Sequence, residues 1–229
     1  MPSDNERKKE LLKKVSIFEE LEDHELHVLL PFLKKEEFSK GDVVVEVDAN
    51  GDSLYLVEEG HLKVALSKKG REIILSILKE GDFFGEMALL DNQMRSANVI
   101  ALKTTQLFKL KKNDFNAFVE DHPKVLMKIL HKLSERLRHA DAIIGDLALL
   151  DVYGRVAQLL LRVATDEGEI TEEGTLIRTP PSQQQIAAMI GASRETINRV
   201  ISDLVRRGSV KKKGKQLILT FAELSHVVD

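Results

Sequence analysis

The sequence predicts an α+β chain in three parts: a barrel or sandwich of short strands, a long helix, and a helix-turn-helix domain with a hairpin wing. Three observations carry this. Gly41, Gly51, Gly60, Gly70 and Gly81 punctuate short β-branched and leucine runs at intervals of 9 to 11 residues. That is the spacing of strands in an antiparallel barrel or sandwich. Leu126, Leu130, Leu133, Leu137, Ala140, Ile144 and Leu147 are separated by 4, 3, 4, 3, 4 and 3 residues, the a/d seam of a two-stranded coiled coil. Between Ser182 and Arg206, small and apolar residues fall at the positions that two crossed helices require.

Composition narrows the chemistry. The chain has 229 residues, enough for one large domain or two ordinary ones, and its 43% hydrophobic content suffices for their cores. The absence of cysteine removes disulfides, thiolate metal sites, cysteine nucleophiles and cysteine-held iron–sulfur clusters. The charged N-terminal segment has no apolar signal core, and no run approaches the ~18 apolar residues of a membrane span. A cytoplasmic protein is expected, with no membrane contact. From Arg178 to the end, nine Lys/Arg face four Asp/Glu, a net of +5; residues 1–177 hold 25 against 33, a net of −8. A basic tail on an acidic body suggests a polyanion partner for the tail alone.

In chain order, residues 5–37 read as short helices, with Leu11, Leu12, Val15 and Phe18, then Leu26, Leu29, Leu30 and Leu33, on their apolar faces. Strands are expected over 43–45, 54–57, 62–66, 73–78 and 99–110, with Phe115 to Val119 leading toward the long helix. That helix runs from Pro123 to Leu150, capped by Asp121, and its ~28 residues make a rod of about 40 Å. Asp151 to Gly154 reads as a hinge, because Gly145 and Gly154 weaken helix on both sides. A helix from Arg155 to Ala164, a polar loop from Thr165 to Gly174 and a short strand at Leu176 and Ile177 follow.

The strand region holds a binding motif. Phe84, Gly85, Glu86, Met87 and Ala88 are followed by Arg95, Ser96 and Ala97. Gly85 allows close backbone approach, and Glu86 to Ala88 begin a helical turn whose free N–H groups attract an anion. Arg95 offers a cationic fork for phosphate oxygens, Ser96 a hydroxyl donor, and Glu86 an acceptor for a sugar hydroxyl. Together they describe a nucleotide-monophosphate pocket.

The C-terminal motif is a helix-turn-helix. Ser182 and Gln185 form a capping box, Gly191 breaks the first helix, and Ser193 caps the second, Arg194 to Arg206. Counting from Gln183, Ala187, Gly191, Ile197 and Val200 fall at five, nine, fifteen and eighteen: small residues for a close crossing, then apolar residues filling its angle. With Ile197, Val200, Ile201 and Leu204 inward, the second helix exposes Ser193, Arg194, Glu195, Asn198 and Arg199. Arg can pair with guanine O6 and N7, and Glu can accept from cytosine N4, so this face suits a G·C-containing major groove. Ser182, Gln183 and the wing lysines, Lys212 and Lys213 among Lys211 to Lys215, suit phosphate contacts.

These residues resemble the cyclic-AMP receptor (CRP-FNR) family of bacterial transcription regulators over about Leu11 to Phe221. The resemblance implies a cyclic-nucleotide-binding β-roll, jelly-roll-like, over residues 1–121, a dimerisation helix over 122–150, a hinge over 151–154 and a winged helix-turn-helix over 155–229. It implies that Arg95 and Ser96 hold the cyclic phosphate and Glu86 the ribose 2′-hydroxyl, that Gly85, Met87 and Ala88 line the cassette, that Val64 and Leu75 form the base wall, and that Arg136 lies near the phosphate. Where the family's namesake carries a Thr-Ser pair that reads the adenine amine across the dimer, this sequence has Ala140 and Asp141. Asp141 can accept from an exocyclic amine or be a solvated helix residue. The run from Ser193 to Arg199 implies a palindromic TGTGA-like site, with Asn198 a departure. The acidic stretch Asp166 to Glu173 takes the place of a surface that contacts RNA polymerase.

The expectation is a homodimeric regulator, not an enzyme, switched by a cyclic nucleotide, with cyclic AMP first and cyclic GMP, a cyclic dinucleotide or no ligand as alternatives. No metal, haem or iron–sulfur cluster is expected. A cupin would need clustered His and Glu ligands, and His61 is the only histidine between Gly41 and Leu110.

Overall fold

The computed structural model describes residues 4–220 and Leu224. Contacts divide the chain into two units, 1–136 and 137–229.

The first unit opens with α1 (Asp4–Lys14) and α2 (Asp23–Leu29), followed by a 3-10 turn, Leu30–Phe32. Eight strands follow: β1 (Lys34–Phe38), β2 (Val43–Val45), β3 (Ser53–Glu59), β4 (His61–Lys68), β5 (Arg71–Lys79), β6 (Phe83–Phe84), β7 (Asn98–Ala101) and β8 (Thr105–Lys111). They form two four-stranded antiparallel sheets, ordered β1-β8-β3-β6 and β2-β7-β4-β5. The expected barrel or sandwich is therefore a two-sheet roll. One apolar cluster, including Val45, Tyr55, Val57, Leu62, Leu78, Phe84, Val99 and Leu107, draws on both sheets.

The other face of the first sheet is also covered. Leu54, Leu56, Phe108 and Leu110 join Leu12, Phe18, Leu26 and Leu29 in a second cluster. Burial on both faces explains why Leu54 to Val57 is an unbroken apolar run rather than an alternating one. Phe18, Phe83, Phe108 and Phe115 are among its largest buried side chains, each stabilising the fold by about 1.5–3 kcal/mol.

Several sequence expectations need correction here. Lys34–Phe38 is a strand, not helix: its charged residues have no strand propensity of their own, and pairing with β8 imposes the conformation. The strand expected over 99–110 is broken at residues 102–104 into β7 and β8, which lie in different sheets. Residues 112–121 form a full helix, α4 (Lys112–Asp121), so Asp121 ends that helix instead of capping the next.

The long helix, α5, runs from Pro123 to Leu149. Its Val125 and Ile129 are buried in the first unit, and Leu126 and Leu133 pack partly against the same core. Further along the same seam, Leu130, Leu137, Ile144 and Leu147 are 54%, 63%, 62% and 42% exposed in the single chain.

In the second unit α6 runs from Val152 to Glu167, longer than the expected 155–164. The hinge expected over 151–154 overlaps the first turn of α6, and the break between α5 and α6 falls at Leu150 and Asp151. Asp151 caps α6, its carboxylate accepting from the Gly154 amide at 2.8 Å, so Val152 to Gly154 are the first helical turn. The cap breaks the rod here, while Gly145 sits within α5. The expected polar loop is a hairpin, β9 (Glu169–Thr171) with β10 (Gly174–Ile177). It extends the wing β11 (Val210–Lys213) and β12 (Gln216–Leu219) into a four-stranded sheet, β11-β12-β10-β9. Helices α7 (Gln183–Ile190) and α8 (Arg194–Arg207) pack on α6 through Ala187, Ile190, Ile197, Val200, Ile201 and Leu204. Among the described residues no helix is long and apolar enough to cross a membrane.

Candidate functional site

The turn after β6 builds the first site. Gly85 takes φ +89 and caps the short helix α3 (Glu86–Asp91). A Cβ at Gly85 would lie 2.5 Å from Nη1 of Arg95 and 2.8 Å from the Ser53 carbonyl oxygen. The glycine is thus required by the protein's own packing as well as by its backbone angle.

Arg95 is only 6% exposed. Its Nη1 donates to the Gly85 carbonyl and its Nη2 to the Ser53 carbonyl, each at 2.8 Å. Burial presses the guanidinium below its ordinary pKa, and nearby Tyr55, Asp52 and Glu86 oppose that shift. Two of its five N–H donors are therefore spent on backbone that locks the side chain, and among the described residues the rest stay uncommitted.

Glu86 is 1% exposed. One carboxylate oxygen accepts from Nη1 of Arg136 at 2.5 Å, and Nη2 of Arg136 donates to the Phe83 carbonyl at 2.8 Å. The guanidinium also lies over the Phe83 ring, 5.3 Å from its centre. Among the described residues the second carboxylate oxygen of Glu86, itself buried, has no partner. A buried, unpaired carboxylate oxygen is costly and calls for a reason.

The other expected residues distribute as follows. Ala88 is buried, Met87 is 45% exposed, and the exposed Ser96 hydroxyl lies 3.8 Å from the Met87 sulfur. Val64 packs partly on the sandwich core. Leu75 is 39% exposed at a bulge, where Val64 pairs with Ser76 but Ala65 with Ile74. Ala140 and Asp141 are exposed on α5. Three residues that the motif did not reveal complete the cassette: Ser53 and Phe83 through their carbonyls, and Gly51. A Cβ at Gly51 would lie 2.2 Å from that of Ala88 and 3.1 Å from Nε of Arg95. In the sequence Gly51 signals only a turn.

The second site is the pair α7 and α8. Ser182 accepts from the Gln185 amide at 3.3 Å while the Gln185 side chain accepts from the Ser182 amide at 2.8 Å, and Ser193 accepts from the Thr196 amide at 3.1 Å. Gly191 has φ +70, and nothing lies within 4 Å of a Cβ built there. Its small size was expected to admit a close crossing; its left-handed backbone is the operative reason. Arg194, Glu195, Asn198 and Arg199 are all exposed on α8. Among the described residues none pairs by charge with Arg194, Glu195 or Arg199. Lys211, Lys212, Lys213 and Lys215 are exposed around the wing tip.

A two-sheet roll with a buried Arg95–Glu86 cassette, followed in the chain by a basic helix-turn-helix, defines the class: a transcription regulator with an effector domain. Comparison with known proteins agrees. A cyclic nucleotide-binding domain model matches residues 35–122, and a Crp-like helix-turn-helix domain model matches residues 154–227. The chain is 30% identical over 217 residues to the CRP-like cAMP-activated global transcriptional regulator of Mycobacterium tuberculosis, covering 93% of this chain and 96% of that one. It is 32% identical over 171 residues to the cAMP-activated global transcriptional regulator CRP of Salmonella typhimurium, covering 73% and 80%. A mutant CooA from Carboxydothermus hydrogenoformans shares the fold, with a TM-score of 0.79, 22% identity and coverage of 88% and 90%. The chain belongs to the CRP/FNR family of transcription regulators. Membership implies a cyclic-nucleotide effector domain, DNA binding through the helix-turn-helix, and dimers.

Proposed function

We propose that this chain is a homodimeric regulator that binds cyclic AMP in the Gly85–Ser96 cassette and thereby gains affinity for a palindromic, TGTGA-like operator. The observation that carries the ligand is the unpaired, buried oxygen of Glu86 beside the locked Arg95. A carboxylate oxygen here accepts a ribose hydroxyl, and the uncommitted N–H groups of Arg95, with the Ser96 hydroxyl, face a cyclic phosphate. Gly85, Met87 and Ala88 line the cassette, and Val64 and Leu75 flank the base. Arg136 holds Glu86 from α5, so occupancy of the cassette and the setting of that helix are coupled. Asp141, and less directly Ala140, contribute at the base end.

The exposed seam residues Leu130, Leu137, Ile144 and Leu147 pair with their copies, with Leu126, Leu133 and Ala140 completing the repeat. The two recognition helices then read half-sites one DNA turn apart, about 34 Å. Arg194, Glu195, Asn198 and Arg199 face base edges, while Ser182, Gln183, Ser193, Lys212 and Lys213 contact phosphate. The ligand acts only by favouring the DNA-competent arrangement over the resting one. The regulator acts in the cytoplasm, and the acidic stretch Asp166 to Glu173 is the surface offered to RNA polymerase.

Calorimetric titration of the purified protein with cyclic AMP, cyclic GMP and cyclic di-GMP tests the ligand. Saturable heat with cyclic AMP at the lowest concentration is expected. Preference for another of the three reassigns the effector, and no heat with any of them removes the ligand from the account.

A further inference from the structure

Gln183 opens α7, and Asn198 stands one turn beyond Arg194 on the exposed face of α8. Their side chains are joined across the angle between the helices: Nε2 of Gln183 donates to Oδ1 of Asn198 at 3.0 Å. An exposed asparagine ordinarily has a mobile amide, because water satisfies it in any rotamer. The bond from Gln183 fixes the plane of this one. It also biases polarity: one of the two lone pairs of Oδ1 is already engaged, while both N–H groups of Nδ2 remain to be presented. Arg194 and Arg199 stand on the same exposed surface, so the amide adds donors beside two donor-rich guanidinium groups.

We propose that Asn198 reads one base pair of each half-site as a donor, and that Gln183 is the positioning residue that holds it in that orientation. The pair selects a base whose major-groove edge offers an acceptor: purine N7, guanine O6 or thymine O4. It rejects cytosine, whose edge there is the N4 amine, a donor facing donors. This deepens the proposed function and rests on α8 lying in the major groove. Gln183 then serves as more than a phosphate contact, and specificity at this pair needs both helices.

The test is relative affinity for a set of operators carrying every single-base substitution in the half-site. Wild type, Asn198→Ala, Gln183→Ala and the double variant are measured by competition anisotropy. Wild type should show one position where cytosine lowers affinity about three- to tenfold. Asn198→Ala should flatten that position alone, Gln183→Ala should flatten the same position in part, and the double variant should do no more than Asn198→Ala. A uniform loss on all operators with Asn198→Ala, or an unchanged cytosine penalty with Gln183→Ala, overturns the proposal. Arg194→Ala run in parallel separates the two levels. If it flattens its own position while Asn198→Ala flattens none, only the coupled pair is wrong; if neither alters any preference, base reading by α8 fails with it.

Discussion

The effector cassette and the recognition helix use the same residue types in opposite ways. In the cassette Arg95 and Glu86 are 6% and 1% exposed, and bonds to Gly85, Ser53 and Arg136 lock them in place while leaving part of their polar capacity unspent. On α8, Arg194, Glu195 and Arg199 are solvated and uncommitted. A small ligand must be met by groups already desolvated and held in place, since each remaining hydrogen bond is then strong and little order is lost on binding. A DNA groove is met by groups that stay hydrated until the duplex arrives, so that salt and sequence set the affinity. Substitutions should therefore disturb folding in the first region and only recognition in the second.

Arg95→Leu breaks this contrast hardest. It strands the Gly85 and Ser53 carbonyls and removes the proposed phosphate partner. Cyclic AMP affinity should fall by about 100-fold or more, equivalent to two charge-assisted hydrogen bonds at about 1.5–3 kcal/mol each. Calorimetry reads that loss, thermal melting reads the accompanying destabilisation, and salt-sensitive binding to random DNA should survive. Unchanged ligand affinity would remove Arg95 from the phosphate role.

Arg136→Ala comes next. It leaves the Glu86 carboxylate buried with neither oxygen paired by charge. Because Arg136 is itself partly exposed, a cost of about 2–4 kcal/mol is expected in urea unfolding, below the range for fully buried pairs. Adding Glu86→Gln should recover part of it, and a cost under about 0.5 kcal/mol would show that water already serves Glu86.

Arg194→Ala sharpens the other side. It should cost about 1–3 kcal/mol on the cognate operator and little on random DNA, with no change in melting temperature. Equal losses on both DNAs would reassign Arg194 to backbone contact.

Asp23 supplies the smallest effect and a control away from both sites. Hydrogen bonds from Lys13 and Lys9 hold its carboxyl down to about 2 from an ordinary 3.8. Its pKa is depressed on folding, so its contribution to stability is present above pH 3.8 and lost as pH falls through about 2. Carboxyl-carbon NMR should find its midpoint near 2 in wild type and close to 3.8 in a Lys9→Ala, Lys13→Ala variant. Cyclic AMP affinity should be the same in both proteins.

The two regions also differed in how far the sequence disclosed them. On α8 a period of 3.6 and fixed helix-crossing positions decide which side chains face out, so Arg194 to Arg199 could be placed residue by residue. The cassette's members could be named but not their wiring. Gly85 and Gly51 look like turn glycines, yet each keeps clear a space that Arg95 or Ala88 fills. The carbonyls of Ser53 and Phe83 carry no signal in residue type. The bond from Arg136 to Glu86 spans 50 positions, beyond the reach of any local pattern. The misread strand Lys34–Phe38 fails for the same reason, since its conformation comes from β8. The Asp151 cap was hidden by neighbouring glycines that suggested a broader hinge.

Filling the Arg95–Glu86 cassette is expected to change what α8 does to DNA. The most direct test is operator affinity of the wild-type dimer, by fluorescence anisotropy at fixed salt, with and without saturating cyclic AMP. A rise of about fivefold or more is expected, the lower end of an allosteric coupling of 1–3 kcal/mol, and it should vanish in Arg95→Leu. Operator affinity that is indifferent to cyclic AMP, cyclic GMP and cyclic di-GMP alike would contradict the account.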